Sequence, residues 1–180
     1  MSPSLTVRRI AADQGAVLRQ LRTASLRDAP HAFGDARQGG TPLADDPEVY
    51  EEVAARHAVS DATTSFILYT EGHPAGLIGA WFERDGAHRA FVSALWVAPA
   101  VRHLRGGELL VNAAIEWLAS QGASQVHAWV PDVNVTAMRF YERLGFGASG
   151  DRARSTQIPD QWETLLVREV GARFAHASVR

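Results

Sequence analysis

The stretch Leu95-Trp96-Val97-Ala98-Pro99-Ala100-Val101-Arg102-His103-Leu104-Arg105-Gly106-Gly107-Glu108-Leu109-Leu110 decides how this chain is built. It starts inside an apolar run, turns at a proline, crosses an arginine- and glycine-containing loop and enters a helical pattern. From Gly107 to Gln121, Glu108, Asn112, Glu116 and Ser120 sit four apart and make one polar stripe. Leu109, Leu110, Val111, Ala113, Ala114, Ile115, Trp117 and Leu118 fill the rest, and a helix that apolar lies flat against a sheet. Gly122 ends the helix, and Gln125 to Val130 reads as the next strand. Strand, helix and strand across Val92 to Val130 form one βαβ unit, which predicts a parallel strand pair with a right-handed crossover.

Upstream, Thr64 to Thr70, Pro74 to Phe82 and Arg89 to Val97 read as three strands on short turns, the second turn marked by Asp85-Gly86. They predict an antiparallel meander. Before them, Leu5 to Ile10 is a short strand. Asp13 offers an N-cap to a helix with Val17, Leu18, Leu21 and Ser25 on one face. Residues 28–42 are loop-like. Asp46-Pro47 starts a second helix, with Val49, Tyr50, Val53 and His57 inward. Downstream, a helix over Asn134 to Leu144 stops at Gly145, and Phe146 to Arg152 and Thr164 to Glu169 read as closing strands. The expected fold is α/β (α+β): a mixed, mostly antiparallel sheet of six to seven strands, helices on both faces and one central parallel pair. A single domain is expected over residues 1–172, with a C-terminal tail over 173–180.

The composition narrows the chemistry. The chain has 180 residues, 46% hydrophobic and 21% charged, with a formal net charge of -2. That is an ordinary globular composition, without the basic footprint of a nucleic-acid binder. No stretch approaches a membrane span, so cytoplasm is the default expectation. There is no cysteine, which removes thiolate nucleophiles and thiolate metal sites together. All 18 basic residues are arginine, which excludes lysine Schiff-base chemistry. The seven histidines show no pair at ligand spacing, so no metal is expected. There is no phosphate-binding Gly-x-x-x-x-Gly-Lys loop, no dinucleotide Gly-x-Gly-x-x-Gly after the first strand and no nucleophile-elbow Gly-x-Ser-x-Gly.

What remains is the loop before the long helix. Free N–H groups and the positive end of the helix dipole converge there and suit phosphate. Arg102 and Arg105 add charge and forked donors. On these residues alone, a glycine pair that merely shapes a loop between solvated arginines stands equally open.

Two motifs resemble the acyl-CoA signature of the GNAT superfamily. The first is Val97-Ala98-Pro99 followed by Arg102-His103-Leu104-Arg105-Gly106-Gly107, with Arg105 where the family pattern has its middle glycine. The second, Asn134-Val135-Thr136-Ala137-Met138-Arg139-Phe140-Tyr141-Glu142-Arg143-Leu144-Gly145-Phe146, matches Asn-x-x-Ala-x-x-Phe-Tyr-x-x-x-Gly-Phe throughout. Resemblance through Arg22 to Phe33 is weaker; by analogy the N-terminal helices shape the acceptor pocket.

The resemblance implies that the sheet splays where Val97 and Trp129 leave their strands, and that pantetheine enters the gap. Backbone groups of Trp96 and Val97 would pair with it, the Val97 N–H polarising the thioester carbonyl. Arg102, Arg105, Gly106 and Gly107 would hold the pyrophosphate. Asn134 would bind the arm or cap its helix, and Tyr141 would protonate the leaving thiolate. No acid occupies Ala90 to Trp96, so Glu83 is the candidate general base, with His31, His88, Asp132 or a water chain as alternatives.

The implied activity is direct transfer of acetyl from acetyl-CoA to a primary amine, a small molecule or a protein N-terminus, in a ternary complex. The rivals are a non-catalytic acetyl-CoA-binding module, an acyltransferase for longer acyl-CoA and a general binding domain that takes no CoA. Expected partners are acetyl-CoA and an amine, with neither nucleic acid nor membrane, in a monomer or homodimer.

Overall fold

The computed structural model describes residues 4–29, 45–84, 86–155 and 160–171, and the structural statements below concern these. One seven-stranded sheet runs β1 (Leu5–Arg9), β2 (Thr63–Thr70), β3 (His73–Phe82), β4 (Ala90–Val97), β5 (Gln125–Pro131), β7 (Trp162–Glu169), β6 (Gly147–Arg154). Every neighbouring pair is antiparallel except β4 and β5. Helices α1 (Gly15–Asp28), α2 (Pro47–Val59), α3 (Gly106–Ser120) and α4 (Val135–Arg143) complete the fold, with a short 3₁₀ turn over Pro99–Leu104. No helix among the described residues is long and apolar enough to cross a membrane.

Period-2 alternation sorts the meander onto two cores. Phe66, Leu68, Ile78, Ala80 and Phe82 face α3 and α4, together with Leu110, Val111, Ala114 and Leu118. Ile67, Leu77, Ala94 and Trp96 face α1 and α2, meeting Leu18, Leu21, Tyr50 and Val53. Leu18, Leu68, Leu110 and Leu118 are fully enclosed, and burial of each such side chain stabilises by about 1.5–3 kcal/mol.

The helix ends follow local chemistry with one correction. Asp46 caps α2 as expected: its side chain accepts from the Glu48 N–H at 3.0 Å, and Pro47 takes the first helical position. Asp13 does not cap α1. It lies in the turn before Gln14, the N-cap residue, whose Oε1 instead accepts from the Ala11 N–H at 2.9 Å. Gly122 and Gly145, at φ 99° and 85°, reverse the chain after α3 and α4 in the left-handed region that glycine enters without strain. Of the expected features, the loop residues 30–42, Asp85 of the hairpin and the tail over 173–180 lie outside the described residues.

The parallel seam is short. Only Ala90↔Val126 and Phe91↔His127 pair across β4 and β5. The opening therefore begins before Val97 and Trp129, where the family resemblance implies it. The cause lies in β4: its register with β3 slips between Leu77 and Gly79, and Ala94 sits at φ 54°. An extra residue of this kind bends the strand that carries it, here away from β5.

Candidate active site

The splay opens into a cavity of about 980 Å³. One side is β4 from Val92 to Val97, and the other is Trp129, Val130 and Pro131 of β5. Arg102, Arg105, Gly107 and Glu108 close one end, and Asn134, Thr136, Ala137, Phe140, Tyr141, Arg143 and Leu144 form the α4 side. Asp28 and Ala29, at the end of α1, complete the lining.

Strand geometry fixes the direction of the Val97 amide. The Ala98 N–H donates to the Ala75 carbonyl of the β3 side at 2.8 Å. Successive residues of a strand present their N–H groups to opposite edges, so the Val97 N–H points away from β3 and into the gap. Trp96 is 7% exposed, and its indole N–H donates to Asp28 Oδ2 at 2.9 Å.

Arg102 is held on the same corner. Its Nε donates to the Val97 carbonyl at 2.9 Å, and its Nη2 pairs with Asp28 Oδ2. Arg105 lines the same end of the cavity, with its Nε on Glu108 Oε2 at 2.8 Å. It adopts φ 62°, the left-handed conformation for which the motif's glycine is suited. Gly106 follows because there is no room: a Cβ there would stand 2.4 Å from Leu68 Cδ2. A Cβ on Gly107 would touch the Phe140 ring at 3.3 Å. The N-terminal turn of α3, with N–H groups that lack partners within the helix, thus faces the cavity through glycine.

Asn134 caps α4, its Oδ1 accepting from the Ala137 N–H at 3.0 Å, which leaves its amide N–H donors for the cavity. Tyr141 is 7% exposed and stands edge-on to Phe140 and Phe146 at ring distances of 5.4 and 5.1 Å. Its hydroxyl makes no hydrogen bond with another described residue, and burial pushes the phenol above its ordinary pKa.

Glu83 is not brought to this place. It does not line the cavity, and its carboxylate is bound at both oxygens by Arg89, at 3.1 and 2.9 Å. Arg89 holds the carboxyl below its usual range, which makes it a weaker base. Two of the alternatives are elsewhere too: His88 stacks on Phe82, while Asp132 accepts from Thr164 and pairs with Arg152. His31 lies outside the described residues. No group of three or more His, Asp or Glu residues among the described ones could hold a metal.

The structure adds Asp28, Thr136 and Arg143 to the residues read from sequence. Thr136 and Arg143 lie inside the second motif, at positions its pattern leaves open. Asp28 lies in the weaker N-terminal resemblance and meets its partners 68 and 74 residues away.

The profile of the acetyltransferase (GNAT) family matches residues 20–146, most of the chain and every described residue that lines the cavity. The chain belongs to the GNAT acetyltransferase family. Mycothiol acetyltransferase of Gordonia bronchialis is 32% identical over 100 residues, which are 54% of this chain and 32% of the relative. The chain spans about a third of the length of the curated relatives it matches, 32% and 38% in the first two. Among solved structures, a GNAT-family acetyltransferase from Streptococcus pneumoniae superposes with a TM-score of 0.75 at 20% identity, over 93% of this chain and all of that one. The structure of yncA from Salmonella typhimurium with its cofactor acetyl-CoA does so at 0.71 and 15%, over 98% of each chain. At these identities the two structures bear on the fold, and the fold agrees.

Proposed function

We propose that this chain transfers the acetyl group of acetyl-CoA to a primary amine by direct attack in a ternary complex. The observation that carries the reading is the convergence on one cavity of the Val97 N–H, directed into the gap, and Tyr141, a buried phenol whose hydroxyl bonds no other described residue. The cavity volume falls within the range of small-molecule sites. Family membership supports the reaction class, and the acetyl-CoA of the yncA structure supports the donor.

In this reading, Arg105, Arg143 and the first amides of α3 hold the diphosphate, with charge-assisted bonds and the helix dipole acting together. The Asn134 N–H donors and the open edge of β4 hold the pantetheine arm. The acceptor's ammonium group loses one proton to water, and its lone pair forms a bond to the thioester carbon. Val97 donates its N–H to the oxygen that takes up the displaced electron pair. When the carbonyl re-forms, the C–S bond breaks, and Tyr141 gives its hydroxyl proton to the departing sulfur. The second ammonium proton goes to water, from which Tyr141 is reprotonated. An alkylammonium ion and a thioester become an amide, a thiol and a proton. The raised pKa of Tyr141 keeps it protonated between turnovers.

The test has two parts. Acetyl-CoA should raise the melting temperature, because a ligand of the native state stabilises it by mass action. A panel of primary amines should then release free thiol at a rate that depends on the amine. A melting shift with no thiol release from any amine would leave a binding module and remove the catalytic reading.

A further inference from the structure

We propose that Asp28 is the anionic subsite that takes the charged nitrogen of the amine acceptor. The inference rests on the acetyl-transfer reading and names the group that selects its second substrate. Five charged residues line the cavity: Asp28, Arg102, Arg105, Glu108 and Arg143. Glu108 belongs to the cofactor end, because it lies in the first turn of α3 and is bonded there by Arg105. Asp28, on α1, is the other cavity carboxylate, and it bonds Trp96 and Arg102 at the corner where β4 ends.

Its hydrogen bonds fix that position. Trp96 Nε1 and Arg102 Nη2 both converge on Oδ2, and the same Arg102 bonds the Val97 carbonyl. The carboxylate is therefore two hydrogen bonds from the backbone of Val97. Oδ1 accepts nothing from any described residue, although a carboxylate oxygen has room for two donors. An ammonium group brings three donors and a positive charge, and it matches that vacancy in sign and in number.

Asp28 is a counter-ion here and not the proton acceptor. The Trp96 hydrogen bond, and then Arg102, hold its carboxyl below the ordinary carboxylate range, so it stays ionised. Arg102 also links the two substrates. With Asp28 as its acidic partner, Arg102 cancels part of the charge that an ammonium would meet. A diphosphate bound at the same corner gives Arg102 a second anion and leaves more of the Asp28 charge to the amine. Acetyl-CoA should then strengthen amine binding.

The experiment compares a nucleophile that is cationic at neutral pH, phenethylamine, with one of similar shape that is uncharged there, phenylhydrazine. Asp28→Asn keeps an oxygen for the Trp96 N–H and removes the charge. Its ratio of kcat/KM on phenethylamine to that on phenylhydrazine should fall about ten- to a hundredfold from the native ratio, the range of one charge-assisted hydrogen bond. Asp28→Glu should restore most of the ratio. An unchanged ratio in Asp28→Asn, however large the loss common to both nucleophiles, would reduce Asp28 to a brace for Trp96 and Arg102 and overturn the proposal. If the native chain releases thiol with neither nucleophile nor any other amine, the acetyl-transfer reading itself fails, and this inference fails with it.

Discussion

The two walls of the cavity are built in opposite ways. The wall proposed to hold the cofactor, here the cofactor wall, is continuous chain. From Val92 to Leu144 it is strand, turn, helix, strand and helix, and its polar contacts are local: Arg102 to Val97 over five residues, Arg105 to Glu108 over three, Asn134 to Ala137 over three. The wall proposed to receive the acceptor, here the acceptor wall, is assembled across the sequence. Asp28 reaches Trp96 over 68 residues and Arg102 over 74, and the helix beneath it, α2, is fastened by Arg9 and Thr64 to the carbonyl of His57. A wall made of local contacts forms wherever its segment folds. A wall made of distant contacts depends on the whole domain. Chemistry should therefore be removable from the first wall without loosening it, while the second should respond to whatever loosens the fold.

The sharpest break is Tyr141→Phe. The substitution removes one hydroxyl that bonds no other described residue and leaves the ring between Phe140 and Phe146. If the phenol is the acid, kcat should drop about 10²- to 10⁴-fold. The melting temperature and the KM for acetyl-CoA should stay near native values. An undiminished kcat would take Tyr141 out of the mechanism and leave it as part of the core.

The same contrast explains what the sequence discloses. The cofactor wall was legible because its residues follow one another at fixed spacing, so a pattern of 13 residues places Asn134, Phe140 and Tyr141 together. The parallel seam was legible from the change of period, but the point of opening was not. The bulge at Ala94 puts an alanine at φ 54°, and no glycine or asparagine marks the spot. Asp28 was out of reach for another reason: its partners are fixed by how α1 lies on the sheet, and spacing does not encode that. Glu83 carries a signal of its own. An acid and an arginine six residues apart around a tight hairpin are cross-strand neighbours, and opposite charges there pair with each other before they serve a substrate.

The next largest effect tests the acceptor side through its support. His57, on α2, is 3% exposed, with Nδ1 on Ser65 Oγ at 2.9 Å. Burial first, then Arg56 and Arg9, lowers its pKa from 6.5 to about 4. Above pH 6.5 the ring is neutral in both folded and unfolded chains, and it costs nothing. As the pH falls from 6.5 toward 4, the unfolded chain binds the proton first, and stability is lost by roughly 3 kcal/mol across that window. Denaturant midpoints measured through that range should decline in the native chain and decline less in His57→Gln. Parallel declines would place the acid-sensitive group elsewhere.

Gly106→Ala probes where the cofactor wall meets the core. Alanine gains helix propensity over glycine by about 1 kcal/mol. Against that, the new Cβ would stand 2.4 Å from Leu68 Cδ2, so the fully buried Leu68 side chain would have to shift. Overpacking of this kind costs about 1–3 kcal/mol, so the net change should be destabilising. The start of α3 should shift with it, and the KM for acetyl-CoA should rise. A variant more stable than the native chain would mean that Leu68 yields.

Arg105→Gly is the smallest change and separates stability from binding within one residue. Arg105 carries φ 62°, which costs a residue with a Cβ about 1–2 kcal/mol and costs glycine almost nothing. Two losses oppose the relief: the solvent-exposed pair with Glu108, worth about 0–1 kcal/mol, and the greater freedom of a glycine in the unfolded chain, about 0.4–1 kcal/mol. The two sides nearly cancel, so the melting temperature should move by no more than about one or two degrees. The guanidinium, however, lines the cavity end where the diphosphate would lie. Its removal should raise the KM for acetyl-CoA several-fold and soften the dependence of that KM on salt, since one screened charge is gone. If the KM falls instead, the arginine obstructs this site, and the cofactor wall works better with the glycine of the family pattern.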